Sequence, residues 1–137
     1  MVFFLNFACV MKHQDYVTDA IDLLCALINT PSVSREEKDA ADLMEQRMKS
    51  YGLAPHREAN NLWLMADGYD EQKPTLLLNA HIDTVKPAIS WTRDPFRASV
   101  EDDRIYGLGS NDCGGGLTTL LQVFRFLSLR PQPYNII

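Results

Sequence analysis

Cysteine is scarce in this chain. Cys9, Cys25 and Cys113 are too few and too unevenly spaced for a disulfide framework or a Cys-x-x-Cys zinc site, and they read as reduced thiols of an intracellular protein. Positive charge is also in deficit. Lys and Arg number 13 against 18 Asp and Glu, a formal net charge of -5, and no basic stripe is present to attract phosphate backbones. Nucleic acid is therefore not an expected partner. Long hydrophobic runs are missing as well: the apolar opening MVFFLNFACVM falls far short of the ~20 residues of a membrane span. It also lacks the charged start and small-residue cleavage site of a signal peptide. A cytoplasmic location without a membrane partner is the expectation. Met11 is followed by the polar KHQD, so residues 1–12 are expected to form an N-terminal extension and residues 13–137 the folded part.

What is present is an ordinary globular composition, 46% hydrophobic and 23% charged, in 137 residues, a length that suits about one domain. Apolar residues from Val17 to Ile28 recur at helical spacing until Pro31 stops them, which predicts a first helix over 13–29. Ser34 and Glu37 form the S-x-x-E pattern of a capping box, and Ala40, Ala41, Met44 and Met48 continue as a second helical stripe as far as Gly52. NLWLMA and TLLLNA read as two buried strands joined by the turn-rich DGYDEQKP. ASVEDDRIYGLG has the layout of a hairpin, Gly115 to Leu129 that of a third helix, and YNII that of a strand beginning. A strand cut at Ile137 would be shorter than the usual ~5–6 residues, so the domain is expected to continue further. Helices alternating with strands predict an α/β architecture.

The chemistry concentrates in two segments. In LLLNAHIDTVKP, His81 and Asp83 stand two positions apart at the end of an apolar run, where an extended chain points both to one side. Open α/β sheets build their sites at that edge. A ligating histidine needs its other ring nitrogen held by an acceptor, which a carboxylate two residues along can supply. Taken alone, this histidine reads first as a surface or core residue near a strand end. In YGLGSNDCGGGL, Asp112 stands just before the third helix, near the positive end of its dipole, among glycines that let the backbone approach closely. Taken alone, it reads first as a helix cap in a glycine-rich turn. A phosphate-cradling loop is disfavoured, because Asp112 takes the place of the third glycine of G-x-G-x-x-G and no GK[ST] follows. His13 and His56 have no partners at ligand spacing and read as surface residues. Cys113 has no histidine near it in sequence to act as its base, and Trp91 and Phe96 read as packing for the long loop between the motifs.

Together the two segments resemble the metallopeptidase family that contains acetylornithine deacetylase, succinyl-diaminopimelate desuccinylase, aminoacylase and glutamate carboxypeptidase. LLLNAHIDTVKP is similar to its H-x-D-T-V motif, and GLGSNDCGGG to its Gly-x-Gly-[ST]-x-Asp run opening a helix. The stretch WTRDPFRASVEDDRIYG between them is similar to its Trp-x-x-x-Pro-Phe loop and hairpin. The resemblance covers roughly residues 16–137 and looks closest to acetylornithine deacetylase, an enzyme of arginine biosynthesis. It implies the N-terminal part of a three-layer α/β/α catalytic domain with a mixed central sheet. It further implies two Zn2+ or Co2+ ions per full-length site, with His81 binding one ion, Asp112 bridging both, and Asp83 supporting His81 as a catalytic residue. A cis peptide after Asp112, a small N-acyl amino acid substrate and a homodimeric full-length protein are implied too. Where many members read Gly-Arg-Gly-Thr and Asp-Met-Lys-Gly, this chain has Leu108, Ser110, Cys113 and Gly114. The family's general-base glutamate, its remaining metal ligands and its dimerisation domain correspond to positions beyond Ile137. The expected function is removal of an acyl group from an N-acyl amino acid such as N-acetylornithine. The alternatives are a dipeptidase or desuccinylase of the same family, or a non-catalytic fragment.

Overall fold

The computed structural model describes residues 12–137. The extension expected over residues 1–12 lies outside them except for Lys12, and Cys9 lies outside them too. Three helices form where periodicity places them: α1 at His13–Ile28, α2 at Lys38–Ser50 and α3 at Gly115–Ser128. Their apolar stripes meet in one core of Leu23, Met44, Met48, Leu121 and Phe124, joined from the strands by Leu64 and Ile136. Burial of each such side chain contributes about 1.5–3 kcal/mol, so this cluster is what holds the helices to the strands.

The strands are shorter than their apolar runs. β1 (His56–Glu58) pairs antiparallel with β2 (Asn61–Trp63), and β4 (Ser99–Glu101) with β5 (Arg104–Tyr106). β3 (Thr75–Leu76) pairs in parallel with β6 (Asn135–Ile136), so YNII does enter a sheet. The β4–β5 turn places Asp102 at φ 47° and Asp103 at φ 59°. Two successive positive φ angles match the twist of a tight hairpin, and aspartate tolerates them better than most side chains.

Two expectations need correction. NLWLMA and TLLLNA are not buried throughout: Leu64 is, and Leu62 and Leu78 pack against the core, but Trp63, Met65 and Leu77 are exposed, Leu77 at 65%. Along NLWLMA the cause is the two-residue alternation of extended chain, whereas in TLLLNA Leu76 is exposed as well as Leu77. The side chains facing the helices are covered, while the alternate ones have no helix over them among the described residues. Ser34 and Glu37 do not form a capping box. α2 begins at Lys38 with Glu37 as its cap residue, without a side-chain capping bond, and Ser34 is engaged elsewhere.

Candidate metal centre

Past β3 the chain continues without regular secondary structure to Thr84, which pairs with Val33 in a parallel bridge. Thr84 N–H donates to the Ser32 carbonyl at 2.8 Å, and Ser34 N–H donates to the Thr84 carbonyl at 3.0 Å. These two bonds anchor the segment carrying His81 and Asp83 to the chain between α1 and α2. The second motif turns through Ser110–Gly114 into α3, and its Asp112–Cys113 peptide is cis. Glycine is required where the two segments touch. A β-carbon at Gly109, whose φ is 77°, would lie 2.7 Å from Thr84 Cγ2, and one at Gly114 would lie 2.6 Å from the Gly109 carbonyl oxygen.

This contact brings together residues 31 positions apart: His81 Nε2 lies 3.1 Å from Asp112 Oδ1. On its other side the imidazole Nδ1 lies 2.9 Å from the Asp83 carbonyl oxygen and 3.2 Å from Asp83 Oδ1. Both of those oxygens only accept, so Nδ1 carries the proton, and in the neutral ring Nε2 is left with its lone pair aimed at a carboxylate. Two acceptors facing each other need a cation between or beside them. A proton fills that need when His81 is charged. Accordingly the imidazole pKa is raised, first by its hydrogen bond to Asp112 and then by the Asp83 carbonyl. Asp83 is held below the usual carboxylate range, chiefly by the Ser34 hydroxyl, with the nearby His81 charge adding to the effect.

A metal ion suits the same pair. Ligand bonds of about 2.0–2.2 Å at a tetrahedral angle separate two zinc ligands by about 3.3–3.6 Å, a few tenths of an ångström more than the observed 3.1 Å from N to O. Nδ1 tied to a carboxylate and a carbonyl is the outer support that ligating histidines carry. Among the described residues, no group of three or more His, Cys, Asp or Glu side chains is gathered to hold a metal ion. The chain therefore offers a pair of donors. Asp112 makes no side-chain cap to α3, and its side chain is 88% exposed, which sets aside the capping role. Beside the pair opens a cavity of about 930 Å³ lined by Glu37, Met44, Asn60, Trp63, His81 and Asp112.

The other candidates take structural places. His56 stacks on Trp63 with ring centroids 5.4 Å apart, His13 is exposed, and Cys113 donates its thiol to the His81 carbonyl at 3.1 Å. In the loop between the motifs, Arg93 pairs with both carboxylate oxygens of Glu101 at 2.7 and 2.9 Å and lies over the Tyr106 ring. Sequence reasoning missed Ser34, whose Oγ donates to Asp83 Oδ2 at 2.5 Å. The partners are 49 positions apart, and only their shared fold brings them together.

Fold and site together define the class: an α/β chain that sets a histidine between two carboxylates. Residues 77–136 match the family described as Peptidase family M20/M25/M40. The chain is 33% identical over 127 residues to succinyl-diaminopimelate desuccinylase of Blochmanniella floridana, covering 87% of this chain and 33% of that protein. It is 31% identical over 117 residues to the protein of the same name from Methylococcus capsulatus, covering 79% and 30%. Among solved structures, the M20 family metallo-carboxypeptidase Sso-CP2 from Sulfolobus solfataricus superposes with a TM-score of 0.68 at 24% identity, over 86% of this chain and 29% of that one. The dipeptidase Dug1p from Saccharomyces cerevisiae superposes with a TM-score of 0.61 at 20% identity, over 90% and 31%. Residues 77–136, which carry both motifs, thus match peptidase family M20/M25/M40, and the chain as a whole is similar to one part of these longer relatives. It spans about a third of the length of the curated relatives it matches.

Proposed function

We propose that the chain supplies the N-terminal, metal-holding part of a metal-dependent amidohydrolase that removes an acyl group from an N-acyl amino acid. The observation that carries this reading is the 3.1 Å approach of His81 Nε2 to Asp112 Oδ1, with Nδ1 already committed to Asp83. His81 and Asp112 are the ligands in this reading, Zn2+ or Co2+ the ion, and Asp83 the residue that keeps the imidazole in its ligating tautomer. A bound zinc ion supplies a water that ionises near neutral pH and polarises the amide carbonyl. The chain's own part is to hold that ion and to leave the adjoining cavity open to a small substrate.

N-acetylornithine, the substrate first expected, loses its place, and arginine biosynthesis with it. The curated relatives reported above carry the name succinyl-diaminopimelate desuccinylase, which favours the alternative of an N-succinyl amino acid of the diaminopimelate type. A cytoplasmic location and a homodimeric whole protein belong to the same proposal on the sequence reading.

The test is titration of the purified chain with Zn2+ in competition with a chromophoric chelator. His81→Ala is expected to abolish the strongest binding. Asp83→Asn is expected to weaken it by roughly 10–100-fold, as losses of a ligand's support do. Unchanged affinity in His81→Ala would remove the metal assignment.

A further inference from the structure

Ser34 and Glu37 carry a capping signature that caps nothing. α2 starts only at Lys38, and Ser34 lies outside it, in the segment bridged to Thr84. The single hydroxyl proton of Ser34 is given to Asp83 Oδ2 at 2.5 Å, far shorter than its 3.4 Å approach to the Thr84 carbonyl. Asp83 is thereby gripped at both oxygens, Oδ2 by Ser34 and Oδ1 by His81 Nδ1 at 3.2 Å. Glu37 secures the turn that presents Ser34. Its carboxylate accepts from the Arg35 N–H, where Arg35 has φ 79°, and from Asn60 Nδ2 at 3.1 Å. An L side chain adopts that φ at a cost, so the turn persists because the carboxylate holds it.

We infer that Ser34 is a positioning residue of the metal centre: it fixes the rotation of the Asp83 carboxylate, and through it the ring of His81. The inference rests on the metal-binding reading above and extends it by one residue. Asp83 has its side chain 39% exposed, so without the hydroxyl its carboxylate turns toward water and His81 Nδ1 keeps only the backbone carbonyl. A ligand with a looser ring then binds its ion more weakly. Ser34 touches neither the ion nor the substrate in this arrangement, and its effect passes wholly through Asp83.

The experiment measures Zn2+ affinity of the whole chain for Ser34→Ala, Ser34→Thr, Asp83→Asn and the Ser34→Ala/Asp83→Asn double variant. Ser34→Ala is expected to lose about 10-fold, the low end for a group supporting a ligand. Ser34→Thr, which keeps the hydroxyl, is expected to regain affinity. The double variant is expected to bind no more weakly than Asp83→Asn, because residues acting through one another are not additive. Wild-type affinity in Ser34→Ala, or losses that multiply in the double variant, would overturn the inference. Should Ser34→Ala unfold, Ser34→Cys repeats the test with a weaker donor of similar shape. A metal-free readout separates this claim from the one beneath it: the 15N resonance of His81 Nδ1 at fixed pH. Its displacement in Ser34→Ala and return in Ser34→Thr support the inference, and an unmoved resonance overturns it. If the wild-type chain takes up no Zn2+, the metal reading fails, and this resonance still decides whether Ser34 positions His81.

Discussion

Gly109 stands where the two halves of the site meet, and its side chain is absent for two separate reasons. Its φ of 77° is a conformation that other L residues adopt at a cost, and Thr84 Cγ2 would lie 2.7 Å from any β-carbon placed there. Gly109→Ala is therefore expected to cost about 1–3 kcal/mol in strain and to push the Asp112 turn away from Thr84. Zn2+ affinity should fall along with the denaturation midpoint. Gly116 provides the contrast, because it lies within α3 with nothing within 4 Å of its would-be β-carbon. Gly116→Ala is expected to be neutral or to stabilise by about 0.5–1 kcal/mol. Denaturant titration of both variants checks the pair, and equal effects would contradict the close approach. At this scale His81, Asp83 and Asp112 could be singled out because each sits in a short local motif, and the structure brings the three side chains together. Ser34 was not, since its nearest sequence pattern advertised a helix cap while its partner lay 49 positions away.

Among the elements, the docking of β1 on α2 illustrates what charge does on this surface. Arg57 Nη1 on β1 lies 2.7 Å from both Asp42 and Glu45 of α2, which also pair along the helix with Lys38 and Lys49. Both carboxyls are held below their ordinary values of 3.8 and 4.5. The lysine contact is the larger cause in each case and Arg57 the second. Groups whose pKa is lowered by folding contribute stability that is fully present above their unfolded pKa and is lost as pH falls through the folded one. The part of the denaturant midpoint due to these two carboxyls should therefore hold steady down to about pH 5 and drop below it. Arg57→Ala should flatten part of that drop and leave the part due to Lys38 and Lys49. A midpoint profile identical to wild type would show that Arg57 is not coupled to these carboxyls. The helices were legible from their 3.6-residue periodicity. The strands were legible in position except β1, whose polar His56–Glu58 carries no apolar run, and burial was not legible, because a continuous apolar run does not reveal that Leu77 and Met65 lack a covering layer.

At the scale of the whole molecule, the deciding quantity is the number of ligands. The described residues bring His81 and Asp112 together, whereas a catalytic zinc takes about three protein ligands and water. Nor does a glutamate stand within this pair as a base for the attacking water, a contribution of typically 10²–10⁴ in rate. The 137-residue chain with Zn2+ or Co2+ is accordingly expected to bind metal without turning over substrate. Incubation with an N-succinyl amino acid and with N-acetylornithine, following release of succinate or acetate against a His81→Ala control, checks this. Release that depends on His81 would mean that the catalytic set is complete within these residues.

Two kinds of information made this structure. Local pattern alone determined the helices and the hairpin with its paired aspartates, and it singled out His81 and Asp112 as residues of interest. Spacing, turn propensity and ligand type are properties of neighbouring residues and survive without the fold. Tertiary structure decided that His81 and Asp112 face one another, that Ser34 serves Asp83 instead of α2, and that Gly109 must yield its β-carbon to Thr84. Each of these depends on a contact between segments distant in the chain. Such a contact exists only once the core of Leu23, Met44 and Leu121 has set the helices and strands in place.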